Sequence, residues 1–483
     1  MTANALLVDS RGDRARVVGH VDLDRQGESR DSGNETGGDF LDEQAASPWS
    51  GAQLQRDHDR VLAEISELQS ENRWDDIIAL FHPVRDKLPE LEDSGMAGEV
   101  RLKVGFALSR AGRHAEALAC LTPVAEQDPE NAMAHYSMAY TAVDALFSAR
   151  TGHQPMPHRG KKRLLETAHD HFREACRLRP GSVSFFYRHG ILYKEIEQKP
   201  RRAIPLFEQA IANWEGKDAE TRKRHHQQRP KYIKAMYHLA SCMLHQGMAG
   251  RSLELMNRLL EEDRDRDHMD PVFKHFAMGK VLHALGRPEQ ALEHLELAAY
   301  RAEKGQPVDF VYELAARCGL VLHQPERAAK YIDRIPAARR RPYVRWTEAD
   351  VLVALGRKQQ ALQVLTVTAE RDRRSRHKAL IRIGRIHLGS GNFIKAEQKC
   401  REAAEFCRTT FGNPSHEAMF WQAAALYRLD RFREAGEIIG ELSDHRFRYP
   451  NFNRLAGLVR EACQHEEQKK IPFSLVRKAD RKS

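Results

Sequence analysis

Gly279-Lys280-Val281-Leu282-His283-Ala284-Leu285-Gly286-Arg287-Pro288-Glu289-Gln290-Ala291 decides the fold. A small residue, Gly279, is followed seven residues later by Gly286 and twelve residues later by Ala291. Gly286 suits a left-handed helix end, because it lacks the Cβ that penalises that conformation. Pro288 and Glu289 then suit a helix start, where one backbone donor is unused and negative charge is favoured. The stretch reads as the end of one helix, a tight turn and the start of a second, with a small residue on each helix so that the two can approach.

The same twelve-residue spacing pairs Gly105 with Ala117, Ala240 with Ser252, Ala316 with Ala328, Ala349 with Ala361, Gly384 with Ala396, and Ala423 with Ala435. Gly112, Gly247, Gly356 and Gly391 again stand seven residues after the first small residue. Four residues after the second, an apolar side chain recurs one turn along the same face: Leu121, Phe172, Phe207, Met256, Leu295, Ile332, Leu365 and Ile439. Pro129 and Pro180 close two of these helices. The unit containing Ala139 and Ala168 holds about seventeen extra residues, near Ser148 to Leu164.

Small, small, large apolar, small and proline at these offsets, with a period near 34 residues, resembles the tetratricopeptide repeat. The resemblance spans roughly residues 50 to 450, about ten units. It implies an all-α fold, a right-handed superhelical solenoid of helix-turn-helix repeats with one continuous core. The domain reading is an acidic, disordered arm over 1–48, repeats over 49–450, a capping helix over 451–467 with Leu455, Leu458, Val459 and Cys463 on one face, and a basic tail over 468–483. The arm is rich in Gly, Ser, Asp and Glu and lacks apolar periodicity.

Composition narrows the function. The chain has 483 residues, 41% hydrophobic and 30% charged, with mean hydropathy −0.63. No window offers the roughly 18 apolar residues of a membrane helix, and the N-terminal apolar run is too short for a secretory signal. The seven cysteines stand singly without a C-x-x-C pair, which reads as reduced thiols and no zinc site. The expected location is cytoplasmic. Net charge is +9; residues 1–50 hold ten acidic and five basic side chains, so residues 51–483 carry 72 basic against 58 acidic, a net +14.

No catalytic constellation emerges. Arg159-Gly160-Lys161-Lys162 lacks the phosphate-loop pattern, since Pro155 stands where a glycine is needed and Lys162 where a hydroxyl is needed. The clustered histidines, His225-His226, His169 with His171, and His153 with His158, lack the i, i+4 spacing of metal ligands on one helix face. The reading is therefore not an enzyme, with no cofactor and no metal.

The resemblance implies that the first helix of each unit lines the concave surface. Three positions before its small residue stand Tyr136, Tyr187, Tyr237, Phe276, Trp346 and Phe420, with Leu102, Glu313 and Ile381 in the other units. These rings either pack between helices as core or form a contact ladder. Beside them lie Lys103, Arg188, His238, Lys280, Arg317, Arg382 and Arg385. Rings alternating with cations suit an extended or acidic peptide segment. The alternative is RNA or single-stranded nucleic acid on the same surface. Family members that grip carboxylate-ended peptides use basic and amide side chains on these helices; here only the basic ones recur. Three further basic runs, Arg159 to Arg163, Arg222 to Lys231 and Arg339-Arg340-Arg341, fall in loops or helix ends and, with Arg371, Arg373, Arg374 and Arg376, suit a rim that attracts polyanions.

Overall fold

A computed structural model describes residues 48–265 and 267–470. Nearly the whole of the expected acidic arm and of the basic tail lies outside the described residues. Among the described residues there are 24 α-helices and no strand. Clustering of contacts divides the chain into two compact units, with the division falling after Val281.

The first unit holds α1 (Pro48–Ser70), α2 (Trp74–Phe81), the short α3 (Val84–Lys87) and α4 (Pro89–Asp93), then α5 (Ala97–Arg110) and α6 (His114–Gln127). It continues with α7 (Ala132–Thr151), α8 (His158–Leu178), α9 (Val183–Ile191), α10 (Pro200–Glu215), α11 (Ala219–Arg224), α12 (Arg229–His245) and α13 (Ala249–Glu262). The division falls within α14 (Pro271–Ala284). The second unit holds α15 (Pro288–Arg301), α16 (Asp309–Val321), α17 (Pro325–Asp333), α18 (Pro342–Ala354), α19 (Lys358–Arg371), α20 (Arg376–Gly389), α21 (Phe393–Phe411), α22 (His416–Arg428), α23 (Phe432–Asp444) and α24 (Phe452–Lys470).

Within each unit the helices pack on their sequence neighbours as antiparallel hairpins, which is what short connections impose. The turns follow the expected chemistry. Gly112 and Gly356 end α5 and α18 with φ of +76° and +78°. Where the glycine is missing, Gln198, His323 and Asp430 take the same left-handed conformation at the same point of the repeat.

The small residue on the first helix makes room for the large side chain one turn beyond the second small residue, besides approaching that second small residue itself. A Cβ on Gly105 would lie 2.7 Å from Leu121 Cγ, and one on Gly190 would lie 2.6 Å from Phe207 Cε1. At Gly384 the obstacle is Cys400 Sγ. At Ala240 and Ser252 the approach is close enough for Ser252 Oγ to donate to Ala240 O at 2.8 Å.

The extra residues of the third hairpin lengthen its helices instead of forming a loop domain. α7 runs for 20 residues and α8 for 21, joined by a turn in which Gly152 has φ +80°. The turn is pinned to the preceding hairpin, because Gln154 Nε2 donates to Gly112 O at 2.9 Å. In the second unit the core runs from Ala349 through Leu365, Leu380, Phe420 and Leu442 to Val459, and α24 joins it by burying Phe452, Leu455 and Val459. None of the seven cysteines forms a disulfide, and burial pushes the thiols of Cys120 and Cys176 up to about 11 and about 12. No helix among the described residues is long and apolar enough to cross a membrane.

Candidate functional site

In the second unit, the first helices of successive hairpins are α16, α18, α20 and α22. Each is antiparallel to its neighbour in sequence, so these four run the same way. The register between α18 and α20 is visible in one contact group: Trp346, four residues into α18, lies beside Lys378 and Arg382, two and six residues into α20.

Lys378, Arg382 and Arg385 occur at i, i+4 and i+7 of α20 and therefore form one stripe. Lys378 Nζ lies 5.0 Å from the centroid of the Trp346 ring, and Arg382 Cζ lies 5.4 Å from it. Arg385 Cζ lies 5.0 Å from the Trp421 ring on α22. One helix thus sets cations over indoles on both sides. Arg382 Nε also donates to Asp350 Oδ2 at 3.3 Å, whereas Arg385 has no carboxylate within ion-pair distance among the described residues.

Like charges four residues apart on one helix face cost about 0.2–0.5 kcal/mol. A cation over an aromatic ring contributes about 0.5–1 kcal/mol when exposed and about 2 kcal/mol or more when desolvated, so the ring contacts offset the repulsion. The indole N–H groups of Trp346 and Trp421 are buried and make no hydrogen bond among the described residues. A buried donor without an acceptor costs about 1–3 kcal/mol. These two donors stand beside the cationic stripe.

At the edge of this face Thr347 Oγ1 donates to Glu313 Oε1 at 2.5 Å. Burial raises the Glu313 carboxyl above its ordinary range, opposed by Arg317 one turn along α16. On the other side Phe420 is buried among Trp421, Tyr449 and Phe452, with ring centroids 5.1, 4.8 and 6.5 Å away.

The first unit treats the same helical positions differently. Tyr136, Tyr187 and Tyr237 are buried. Tyr136 stacks on Phe185 at 4.6 Å, and Tyr187 packs against Phe207 and His238 at 6.1 and 5.9 Å. Together with Phe420, four of the six rings expected in a contact row are core, because a residue three positions before the small residue faces the neighbouring helices. Phe276 is half-buried under Lys280, whose Nζ lies 5.6 Å from its ring. Arg188 lies over Tyr140 and Tyr187 at 5.1 and 5.8 Å.

The half-exposed rings of this unit lie elsewhere. Trp74 meets Phe106 at 5.6 Å and Phe106 meets Tyr140 at 6.0 Å, with Arg110 over Trp74 at 5.7 Å. Phe106 and Tyr140 come one residue after the small residue, and the sequence reading passed over them, as it passed over Lys378 and Trp421. Phe106, Tyr140 and Lys378 stand at other offsets on the half-exposed side of the first helix, whereas Trp421 is buried.

Behind these rings the first unit carries a histidine chain. His169 Nε2 pairs with Glu197 at 3.0 Å and His169 Nδ1 with His189 Nε2 at 3.2 Å. Burial pushes His189 down to about 3 and lowers His169. Neutral, hydrogen-bonded imidazoles of this kind are packing elements. Among the described residues no group of three or more His, Cys, Asp or Glu is arranged to hold a metal ion.

Stacked helical hairpins with these small-residue contacts form an α-helical repeat protein. Two family models, both described as tetratricopeptide repeat, match residues 275–296 and 347–409, so the chain carries tetratricopeptide repeats. The apo form of RapI matches with a TM-score of 0.53 at 13% identity, over 75% of this chain and 100% of that one. Yeast Tom70 matches with a TM-score of 0.40 at 13% identity, over 88% and 99% of the two chains. The human IFIT1 dimer with PPP-AAAA matches with a TM-score of 0.40 at 15% identity, over 80% and 86%. At these identities the likeness to RapI shows the fold alone. A search of curated proteins found no match. Tetratricopeptide repeat proteins generally mediate protein–protein interaction and scaffolding.

Proposed function

We propose that the protein is a non-catalytic cytoplasmic adaptor that holds an extended, acidic segment of a partner protein against the first helices of its second unit. The observation that carries this reading is the pair of indoles, Trp346 and Trp421, flanking one helix whose Lys378, Arg382 and Arg385 lie over them. An extended acidic peptide complements this face, because its carboxylates meet the stripe. The aromatic bodies provide apolar contact area at low entropy cost. Phe276 with Lys280, and Arg317 beside Glu313, belong to the same kind of surface on their own helices.

The test is an array of extended 12-residue peptides of graded charge, probed with the full chain. Acidic peptides carrying one or two aromatic residues are expected to be retained, and Lys378→Glu with Arg385→Glu is expected to reverse the charge preference. Retention independent of peptide charge sinks the reading. A single-stranded oligonucleotide that competes at this stripe, with affinity falling linearly in log salt, would make the partner nucleic acid instead.

A further inference from the structure

A second charged surface lies at one end of the second unit. The turn before α18 carries Arg334, Arg339, Arg340 and Arg341, and the turn before α20 carries Arg373 and Arg374, flanked by Arg371 as the last residue of α19 and Arg376 as the first of α20. Because α18 and α20 run parallel in the register fixed by Trp346, their starts are neighbours. Packed helix axes lie about 8–10 Å apart, so arginine side chains from the two turns reach overlapping space.

Part of this charge is spoken for. Arg340 pairs with Glu348 at 2.7 Å, Arg345 with the same carboxylate at 2.9 Å, and Arg376 with Glu402 at 2.6 Å. Arg334 lies over the Tyr312 ring at 5.5 Å. Arg339, Arg341, Arg371, Arg373 and Arg374 are exposed and have no ion pair among the described residues.

Helix electrostatics oppose this arrangement. A helix start favours acidic side chains and disfavours basic ones by about 0.3–1 kcal/mol each. The first helices on either side obey the rule, with Asp309 in the first turn of α16 and Glu417 in that of α22. α18 and α20 have no acidic residue in the first turn and are preceded by arginines, with Asp372 before α20 accepting from Arg374 N and Ser375 N at 3.2 and 3.1 Å. Charge collected against the local preference of two adjacent helices, while their neighbours keep the stabilising acids, is a surface arranged for an external anion.

We infer that this arginine edge is a binding surface for the phosphate backbone of a nucleic acid, separate from the indole stripe. All eight basic residues of this edge are arginine, whose planar fork meets phosphate oxygens two at a time and is weakly hydrated. The residues between them that are exposed, Pro336, Ala337 and Ala338, are small. Phosphate contacts made by such side chains grip a backbone without reading sequence.

The experiment is fluorescence anisotropy of the full chain with a fluorescein-labelled 20-nucleotide single-stranded RNA, at 50 and 200 mM salt. Five free arginines give an expected loss of about 100-fold in affinity between the two salts. Arg339→Glu, Arg341→Glu, Arg373→Glu and Arg374→Glu together are expected to weaken binding at least tenfold at 50 mM salt. Placing acids at helix starts is favourable, so this variant is expected to melt no lower than the parent; the milder Arg373→Gln, Arg374→Gln variant is expected to show a smaller loss in the same direction. Lys378→Gln with Arg385→Gln, in the indole stripe, is expected to leave RNA affinity unchanged. Absence of binding at 50 mM salt overturns the inference, as does an affinity that the four-residue reversal leaves intact. Binding abolished by the stripe variant assigns the RNA to the stripe and also overturns it. Capture by phosphatidylserine vesicles in place of RNA would make the surface a membrane contact. Absence of RNA binding, or binding that survives the four-residue reversal, leaves the peptide reading untouched, whereas RNA assigned to the stripe counts against both readings.

Discussion

The two units place aromatic residues at the same point of the repeat and use them in different ways. In the first, Tyr136 and Tyr187 are enclosed by Phe185, Phe207 and His238, and Arg188 lies over Tyr187 and Tyr140 besides. In the second, Trp346 is half-buried and lies beneath two cations from the next first helix. The difference follows from what the neighbouring helix supplies. α9 and α12 offer rings and imidazoles, which can close over a tyrosine, whereas α20 offers long basic side chains, which cover an indole and can also swing away from it. Enclosed rings hold the fold, and rings covered by long basic side chains are suited to exchange that cover for a ligand.

The largest expected effect tests this contrast directly. Tyr187→Ala removes an enclosed ring and is expected to cost about 3–5 kcal/mol, as large aromatic truncations in cores do. Trp346→Ala removes a half-exposed one and is expected to cost well below that, while abolishing peptide retention. Urea unfolding of the two variants compares them. Equal losses of stability would remove the distinction between the units.

Acid is expected to act next most strongly, and through depth of burial. His189 in the first unit is pushed to about 3 and His283 in the second to about 4, both by burial, with Arg317 also lowering His283. The unfolded chain titrates near 6.5, so below that pH it binds protons that the folded chain does not. Stability is thus complete above about pH 6.5 and falls as pH drops toward 4, by about 2 kcal/mol per histidine at pH 5. Urea midpoints at pH 7 and pH 5 give the slope, and His189→Asn is expected to reduce it by about one proton. An unchanged midpoint between those pH values would show that these imidazoles are not buried neutral.

A third expectation concerns the hairpin contact. Gly190→Ala in the first unit sets a methyl group 2.6 Å from Phe207, and Gly384→Ala in the second sets one against Cys400 Sγ. Each is expected to cost about 1–3 kcal/mol. Thermal melts that match the parent would mean that the repeat contacts yield more easily than close packing allows.

The hairpins were legible because their signals are local and stereochemical. A glycine seven residues after a small residue is required by a left-handed turn, and the turns at Gly112 and Gly356 occur where that spacing put them. The large neighbour of the small residue was less legible, since helix tilt and side-chain length decide whether Gly105 meets Leu121, and neither is written in the spacing. The binding face was legible only in part. A first helix packs on its own partner and on the helices of adjacent hairpins, so most of its circumference is buried, and the −3 position falls inside that buried arc at Tyr136, Tyr187, Tyr237 and Phe420. Trp346, Arg382 and Arg385 were singled out in sequence, but the grouping that unites them with Lys378 and Trp421 depends on the register between α18, α20 and α22. Residues 32 positions apart, such as Trp346 and Lys378, meet only when successive repeats stack in that register.

The smallest expected effect on stability is at Arg385, and it isolates the proposed site from the fold. Its guanidinium lies over Trp421 with no carboxylate partner among the described residues, so Arg385→Gln removes one cation–ring contact, worth about 0.5–1 kcal/mol at a half-exposed position. The same change relieves repulsion within the stripe of Lys378 and Arg382, which offsets part of that loss. The net shift in the urea midpoint is therefore expected to be close to zero. Binding is expected to respond far more, because an acidic segment loses a charge-assisted contact of about 1.5–3 kcal/mol, a decrease in peptide affinity of about tenfold or more. Tryptophan emission supplies the independent readout, since removal of the cation beside Trp421 changes the field on its ring whether or not a ligand is present. A shifted emission with unchanged peptide affinity would show that the contact exists but faces no partner, and the cation stripe would then be a device of the fold, like the enclosed rings of the first unit.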